Sequence, residues 1–549
     1  MRKKKVKQKR TWLVIVPIVL MLMALITLLY SIKQQQDIHS LGQTTGKRIV
    51  GYFVAWGVYG RNFHVSNIPA DQLTHINYAF SNITNGQCTL GDSYADADKF
   101  YPGDSWDTGA IRGNFNQLKK LKQQHPSLKT LISIGGWTWS GQFSNIAQTD
   151  ASRQTFVKSC IDLYLTGKYD GVFDGIDVDW EYPVGGGLPE NITSPNDKQN
   201  YTLLMAEFRK QLTALTAKTH KQYLLSIAAP AGADKYKNLE LSQLARSLDF
   251  INIMTYDFHG GWDPITNFHA PLYKADNDPS PEQIVRDKYN ADAAISGYLT
   301  AGVPANKINL GLPFYGRGYS AVPNTKNGLF QTHTGVPMGS FDDGTSGATG
   351  VFDYKDIKAR FETTYTKFRD SKAQVPYLYN PTTKIWINYD DPQSITNKAN
   401  YINSKGLGGA MIWELSGDDG SLITALSGTL KKGTGPALPT NTPTPTPTKP
   451  TPTKIIPTFV CAGGINCVPT PTPTGKLPAK KPTPTPTPKN KPTPTPTLTP
   501  TPTQPQPSSD IPTPSSGPDK PPTDDRDNFF WELIKKILEF LLQLLRLRQ

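Results

Sequence analysis

Asp174-Gly175-Ile176-Asp177-Val178-Asp179-Trp180-Glu181-Tyr182-Pro183 is the stretch whose reading decides the fold. From Ile176 to Glu181 acids alternate with Ile176, Val178 and Trp180. That period of two predicts a β-strand with Asp177, Asp179 and Glu181 on one face and apolar side chains on the other. Like charges on one face repel, and burying them is costly unless they are protonated, shared or hydrogen-bonded. Stability does not explain such a row, so it is read as a set of catalytic carboxylates. A calcium loop also spaces acids two apart, but it requires Gly at its sixth position and polar spacers. Here the sixth position is Tyr182 and the spacers are Ile, Val and Trp.

Working outward, further apolar bursts flank this one. They are 49–54, 73–80 and 130–134 before it, and 223–229, 250–254, 308–313 and 409–413 after it. Amphipathic stretches such as 115–124, 152–165 and 200–219 fall between them. Eight strands alternating with helices over residues 48–430 predict an α/β chain folded as a (β/α)8 TIM barrel, whose chemistry gathers at the carboxyl ends of the strands. The acidic stretch is then the fourth strand, with Glu181 at its carboxyl end. Residues 319–389, between the seventh and eighth strands, read as a small α+β insertion domain forming one wall of a groove. Unstructured loops of that length are uncommon.

The ends differ in kind. Residues 1–10 are strongly basic, and an uncharged apolar run follows from Trp12 to Tyr30. Such a run is long enough to span a bilayer, with the basic flank in the cytoplasm and the remainder outside. It shows no small-residue cleavage pattern, so residues 11–31 are read as a membrane anchor, with a cleaved secretory signal as the alternative. Residues 436–525 collapse into Thr-Pro repeats, which cannot bury a core and predict an extended, disordered linker. Residues 527–549 read as an amphipathic helix, acidic before it and basic at its end, that binds membrane or self-associates.

The 549 residues carry a net charge of +13, but the excess lies at the ends. Between Gly51 and Leu430 there are 33 Lys and Arg against 37 Asp and Glu, which makes nucleic acid a poor partner. Cys88, Cys160, Cys461 and Cys467 show no zinc spacing. Cys88 and Cys160 are far apart and could be free thiols, whereas Cys461 and Cys467 are close enough to close a small disulfide loop.

Asp174, Asp177, Asp179 and Glu181 match the D-x-x-D-x-D-x-E motif, so the chain resembles glycoside hydrolase family 18, the chitinases and their relatives. Ser133-Ile134-Gly135-Gly136-Trp137 is similar to that family's third-strand motif. Met254-Thr255-Tyr256-Asp257 is similar to the sixth-strand motif, although a Gln common two residues before its Met is Asn252 here. Gly311 to Arg317 and Trp413-Glu414 resemble the seventh- and eighth-strand motifs. The likeness spans roughly Arg48 to Leu430 and looks closest to bacterial chitinases with the insertion.

The resemblance implies a substrate-assisted mechanism, in which the sugar's own acetamide is the nucleophile. Glu181 is then the general acid and later base, with its pKa raised. Asp179 holds the acetamido N–H, and Asp177 shares a proton with Asp179. Tyr256 donates to the acetamido oxygen, and Asp257 contacts the sugar or Glu181. Trp413 floors the site, while Asp174 is structural. Met254, Trp137, Tyr52, Phe80, Arg317 and Trp262 are counted as substrate-binding, with Arg317 equally suited to fixing an acid. Trp56 and Trp139 are further groove candidates, and Gly135 and Gly136 permit close backbone approach. No cofactor or metal is implied. The expected partner is chitin or another N-acetylglucosamine polysaccharide. A chitin-binding lectin, an endo-β-N-acetylglucosaminidase and a peptidoglycan hydrolase are the alternatives.

Overall fold

The computed structural model describes residues 46–432, with 344 and 346 excepted. The basic and apolar amino-terminal runs, the Thr-Pro linker, the amphipathic segment and the pair Cys461 and Cys467 all lie outside the described residues. Among the described residues no helix is long and apolar enough to cross a membrane.

Among the described residues fourteen strands form two sheets. In chain order they are β1 (Arg48–Val54), β2 (His75–Thr84), β3 (Gln87–Leu90), β4 (Lys129–Gly135), β5 (Gly175–Asp179), β6 (Leu224–Pro230) and β7 (Phe250–Met254). Then come β8 (Ile308–Pro313), β9 (Tyr315–Tyr319), β10 (Val351–Asp353), β11 (Thr366–Asp370), β12 (Val375–Asn380), β13 (Ile385–Asn388) and β14 (Gly409–Trp413). Strands β1, β14, β8, β7, β6, β5, β4 and β2 pair in parallel in that order, and a further β1–β2 pairing closes the ring. This is an eight-stranded (β/α)8 barrel, with β3 added to β2 as an antiparallel hairpin. The acidic strand β5 is the fourth of the eight.

The alternation in β5 is explained by the two sides of a barrel wall. Ile176, Val178 and Trp180 face outward into the shell of helices, where all three are buried. Trp180 stacks on Phe143 with centroids 5.3 Å apart and meets the edge of Tyr201 at 5.2 Å. Phe143 belongs to helix Phe143–Ala147 and Tyr201 to helix Asp197–Thr219. A buried tryptophan of this kind removes about 200 Å² from water, so the strand is held from outside by apolar contact. The opposite face carries Asp177 and Asp179 into the barrel interior.

Between the seventh and eighth barrel strands the chain builds an antiparallel sheet in the order β10-β9-β13-β12-β11. It begins at Tyr315, earlier than the Tyr319 boundary expected from the sequence, because β9 follows the barrel strand β8 almost directly. An apolar cluster that includes Tyr319, Tyr377, Tyr379 and Trp386 fills it.

The expectation of free thiols at Cys88 and Cys160 is corrected: the two form a disulfide, with Cα atoms 5.0 Å apart across 72 residues. It ties β3 to helix Asp150–Ile161, whose Ser159 hydroxyl also accepts from the Cys88 N–H at 2.9 Å. Distance along the chain carried no sign of this pairing.

Candidate active site

Asp177 sits deepest in the acidic row and has no exposed surface. The register places Ser133 of β4 and Ser226 of β6 beside it. Tyr52 and Ser133 hydroxyls donate to Asp177 Oδ2 at 2.7 and 2.8 Å, and Ser226 donates to Oδ1 at 2.5 Å. Burial pushes the Asp177 carboxyl up, and these hydroxyls oppose the shift. With both oxygens taken by hydroxyl donors, Asp177 does not form the expected proton-sharing bond with Asp179 in this structure.

Asp179, two residues on and 4 % exposed, lacks such partners. Its Oδ1 is buried without a hydrogen bond. Burial raises its pKa well above the ordinary value, and the neighbouring Glu181 and Asp177 raise it further. A buried carboxyl oxygen left empty is unfavourable, which makes it a prepared acceptor for an incoming N–H or O–H.

Glu181 lies just past the end of β5. Its N–H donates to Ser140 Oγ at 2.8 Å, and its carbonyl accepts from Asn191 Nδ2 at 3.0 Å. Burial, followed by repulsion from Asp257, pushes its carboxyl to about 7 against a hydrogen bond from Tyr182. That value lets one residue hold a proton and give it up near neutral pH, as an acid that must later act as base requires.

Gly135 and Gly136 sit at φ of +101° and +77° behind the row. A Cβ on Gly135 would collide with the Asp179 carbonyl, and one on Gly136 would lie 2.6 Å from the Phe80 ring. Asp174 is at the other end of β5, where it pairs with Lys122 at 2.8 Å and accepts from the Thr130 N–H at 2.9 Å. It takes no part in the cleft.

Asp179 and Glu181 open into a cleft of about 840 Å³. Of the residues singled out from the sequence, it brings together Asp179, Glu181, Tyr256, Asp257, Met254, Trp413, Tyr52, Phe80, Trp56, Trp137, Trp262 and Arg317. Trp413 stacks on Phe80 at 5.8 Å and tilts against Tyr52 at 5.4 Å, so its indole is held as a floor. Trp137 and Trp262 are 47 % and 60 % exposed where they line the cleft. Trp139 does not line the cleft; its ring packs at Gly91 instead. The Tyr256 hydroxyl makes only a weak contact to Met411 Sδ at 3.6 Å and can be given up to a better acceptor.

Arg317 reaches the cleft from β9, over the Trp262 ring at 4.7 Å. Sequence reasoning missed Tyr182, Lys235 and Tyr289, which also line the cleft. It also missed the clamp made by Arg61, whose Nη1 lies 2.9 Å from Asp353 Oδ2 on β10 and 3.2 Å from Glu414 Oε1 after β14. Tyr182 beside Glu181 and Glu414 beside Trp413 had adjacency as a signal. Arg61 and Lys235 had none.

A barrel that buries one acid near neutrality and an unpartnered carboxylate beside it, above an aromatic floor suited to a pyranose ring, belongs among the glycoside hydrolases. The family model for Glycosyl hydrolases family 18 matches residues 48–418, and the chain belongs to that family. It is 45% identical over 408 residues to Chitinase A1 of Niallia circulans, a match covering 68% of this chain and 56% of that protein. The chain therefore spans little more than half the length of that relative. It is 39% identical to Chitinase 1 of Aphanocladium album, over 69% of this chain and 84% of that one. Among solved structures, the catalytic domain of psychrophilic chitinase B from Arthrobacter TAD20 is 38% identical with a TM-score of 0.66, covering 71% of this chain and 97% of that one.

Proposed function

We propose that the protein is a chitinase that hydrolyses β-1,4 linkages between N-acetylglucosamine units within the chain, with retention and with help from the substrate. The observation that carries this is the pairing of Glu181, pushed to about 7, with the unpartnered Asp179 Oδ1 beside it. Glu181 protonates the glycosidic oxygen while the 2-acetamido carbonyl oxygen attacks the anomeric carbon, so the leaving sugar departs and an oxazolinium ring forms. Asp179 accepts the acetamido N–H and balances the positive charge. Tyr256 holds the acetamido oxygen in line. Glu181, now ionised, takes a proton from water as that water opens the ring. Trp413 supports the reacting sugar, and Met254, Tyr52, Phe80, Trp137 and Trp262 line its path. The names carried by the relatives support chitin as substrate.

We also place the catalytic domain outside the cytoplasm, held by residues 11–31 as a single-pass anchor, with secretion after cleavage as the alternative. The basic-then-apolar amino terminus supports this, and so does the Cys88–Cys160 disulfide, since such bonds persist in oxidising compartments. The segment 527–549 is proposed to bind membrane or a second copy.

The test is release of soluble oligosaccharide from chitin by the wild type and by Glu181→Gln. Cleavage by the wild type alone, with binding kept in the variant, is expected. If both bind and neither cleaves, the protein is a lectin. If peptidoglycan or the chitobiose core of an N-glycan is cut and chitin is not, the substrate assignment falls.

A further inference from the structure

A column of buried amides runs from the amino-terminal end of the barrel to the underside of the acidic row. Arg48, the first residue of β1, donates from Nε to Asn309 Oδ1 at 3.1 Å. Asn309 Nδ2 donates to Asn252 Oδ1 at 2.9 Å, and Asn252 Nδ2 faces Asp177 Oδ1 at 3.5 Å. Asn252 and Asn309 are partners in the β7–β8 ladder, and neither has exposed surface. Arg48 is held in place by the Asn306 carbonyl and by the Phe250 ring, 5.2 Å from its guanidinium.

The direction of this column is not free. An isolated asparagine can face either way, because its oxygen and nitrogen have nearly the same shape. A guanidinium has donors and no acceptor, so the Asn309 atom beside Arg48 must be its oxygen. That leaves the Asn309 NH₂ for Asn252, whose oxygen must receive it. Asn252 then has only its NH₂ to turn toward Asp177. The two amide dipoles are aligned with their positive ends toward the carboxylate, and each polarises the next. Packing alone does not account for two fully buried asparagines, since apolar side chains would fill the space without desolvating amides.

We propose that Arg48, Asn309 and Asn252 are positioning residues that hold Asp177 as a fixed, ionised acceptor from the far end of the barrel, so that the proton needed for cleavage stays with Asp179 and Glu181. This rests on the hydrolase reading. None of the three touches substrate; they act through Asp177.

The experiment uses the full chain and a soluble N-acetylglucosamine tetramer, with Arg48→Met, Arg48→Lys and Asn309→Asp beside the wild type. Asn309→Asp keeps an acceptor for Arg48 but loses the donor to Asn252. Arg48→Lys keeps a donor. Expected are a kcat about tenfold lower in Arg48→Met and Asn309→Asp with KM within about twofold, and a kcat within about threefold of wild type in Arg48→Lys. The proposal is overturned if Arg48→Met keeps the wild-type kcat, if the loss appears in KM, or if Arg48→Lys falls as far as Arg48→Met. Should Asn309→Asp fail to fold, the Arg48 pair decides alone. An inactive wild type would sink the hydrolase reading and this inference with it, an outcome distinct from an active enzyme indifferent to these changes.

Discussion

Arg317 Nε lies 2.6 Å from Asp257 Oδ1, and the Tyr315 hydroxyl reaches the same oxygen at 2.7 Å. His269 Nδ1 stands 3.7 Å from it. Burial pushes the Asp257 carboxyl up, but the Arg317 guanidinium and His269 hold it well below the usual carboxylate range. Asp257 is therefore ionised throughout the working range, and its charge is one cause of the raised Glu181 pKa.

Arg317→Met should leave only His269 and the Tyr315 hydroxyl to oppose burial. Asp257 would then take up a proton at a higher pH, so kcat/KM of the variant should fall at an acidic pH where the wild type, with Asp257 still ionised, keeps its activity. A variant pH–rate profile that follows the wild type's at acidic pH would refute the assignment. Arg317→Lys should fall less, since an ammonium keeps the charge without the planar fork.

Glu181 must be protonated to act as acid, and its carboxyl titrates at about 7. kcat/KM should therefore fall as pH rises through about 7, approaching tenfold per unit beyond it. Glu181→Gln should lose on the order of a thousandfold in kcat below about pH 7, and the gap should narrow as the wild type falls above it. Measuring kcat/KM from acid to alkaline pH checks both statements, and an alkaline limb far from this region would count against Glu181 as the acid.

The same shift has a stability counterpart. A carboxyl near its ordinary 4.5 when unfolded and at about 7 when folded binds more protons in the native state between those values. Its contribution is fully present below about 4.5 and is lost as pH rises through about 7, at up to about 1.4 kcal/mol per unit. Glu181→Gln lacks this term, so the variant should gain on the wild type across that window and hold the gain above it. Thermal melts of the two proteins at a series of pH values measure the difference, and a constant gap would contradict it.

Removing the Cys88–Cys160 bridge should lower stability with little effect on kcat, because neither cysteine lines the cleft. Chain entropy for a loop of 72 residues sets the scale at on the order of 4 kcal/mol. Denaturant midpoints of Cys88→Ala/Cys160→Ala against the oxidised wild type give the value. An unchanged midpoint would mean the bridge constrains nothing.

Much of the architecture was legible because it is periodic. The two-residue alternation in 176–181 reports a strand with different surroundings on its two faces, and each apolar burst marked a barrel strand. Asp179 and Glu181 were legible as chemistry because their types and spacings make little sense as structure, and Tyr256 only through its likeness to the family's sixth-strand motif. The Cys88–Cys160 bridge was not, since its partners are brought together by a hairpin and a helix that carry no mutual signal. Arg61 was illegible for the same reason: its partners Asp353 and Glu414 lie hundreds of residues away and meet it only once the insertion sheet has docked.

The sequence by itself determined where the eight barrel strands lie, the acidic face of β5 and the aromatic residues at strand ends, because those features depend on neighbours a few positions apart. Only the tertiary structure decided which acid is satisfied and which is left open. The two-residue alternation treats Asp177 and Asp179 alike. Folding surrounds Asp177 with Tyr52, Ser133 and Ser226 and leaves Asp179 Oδ1 without a partner. The difference comes from hydroxyls delivered by three other strands, and closure of the barrel is what sets them in place.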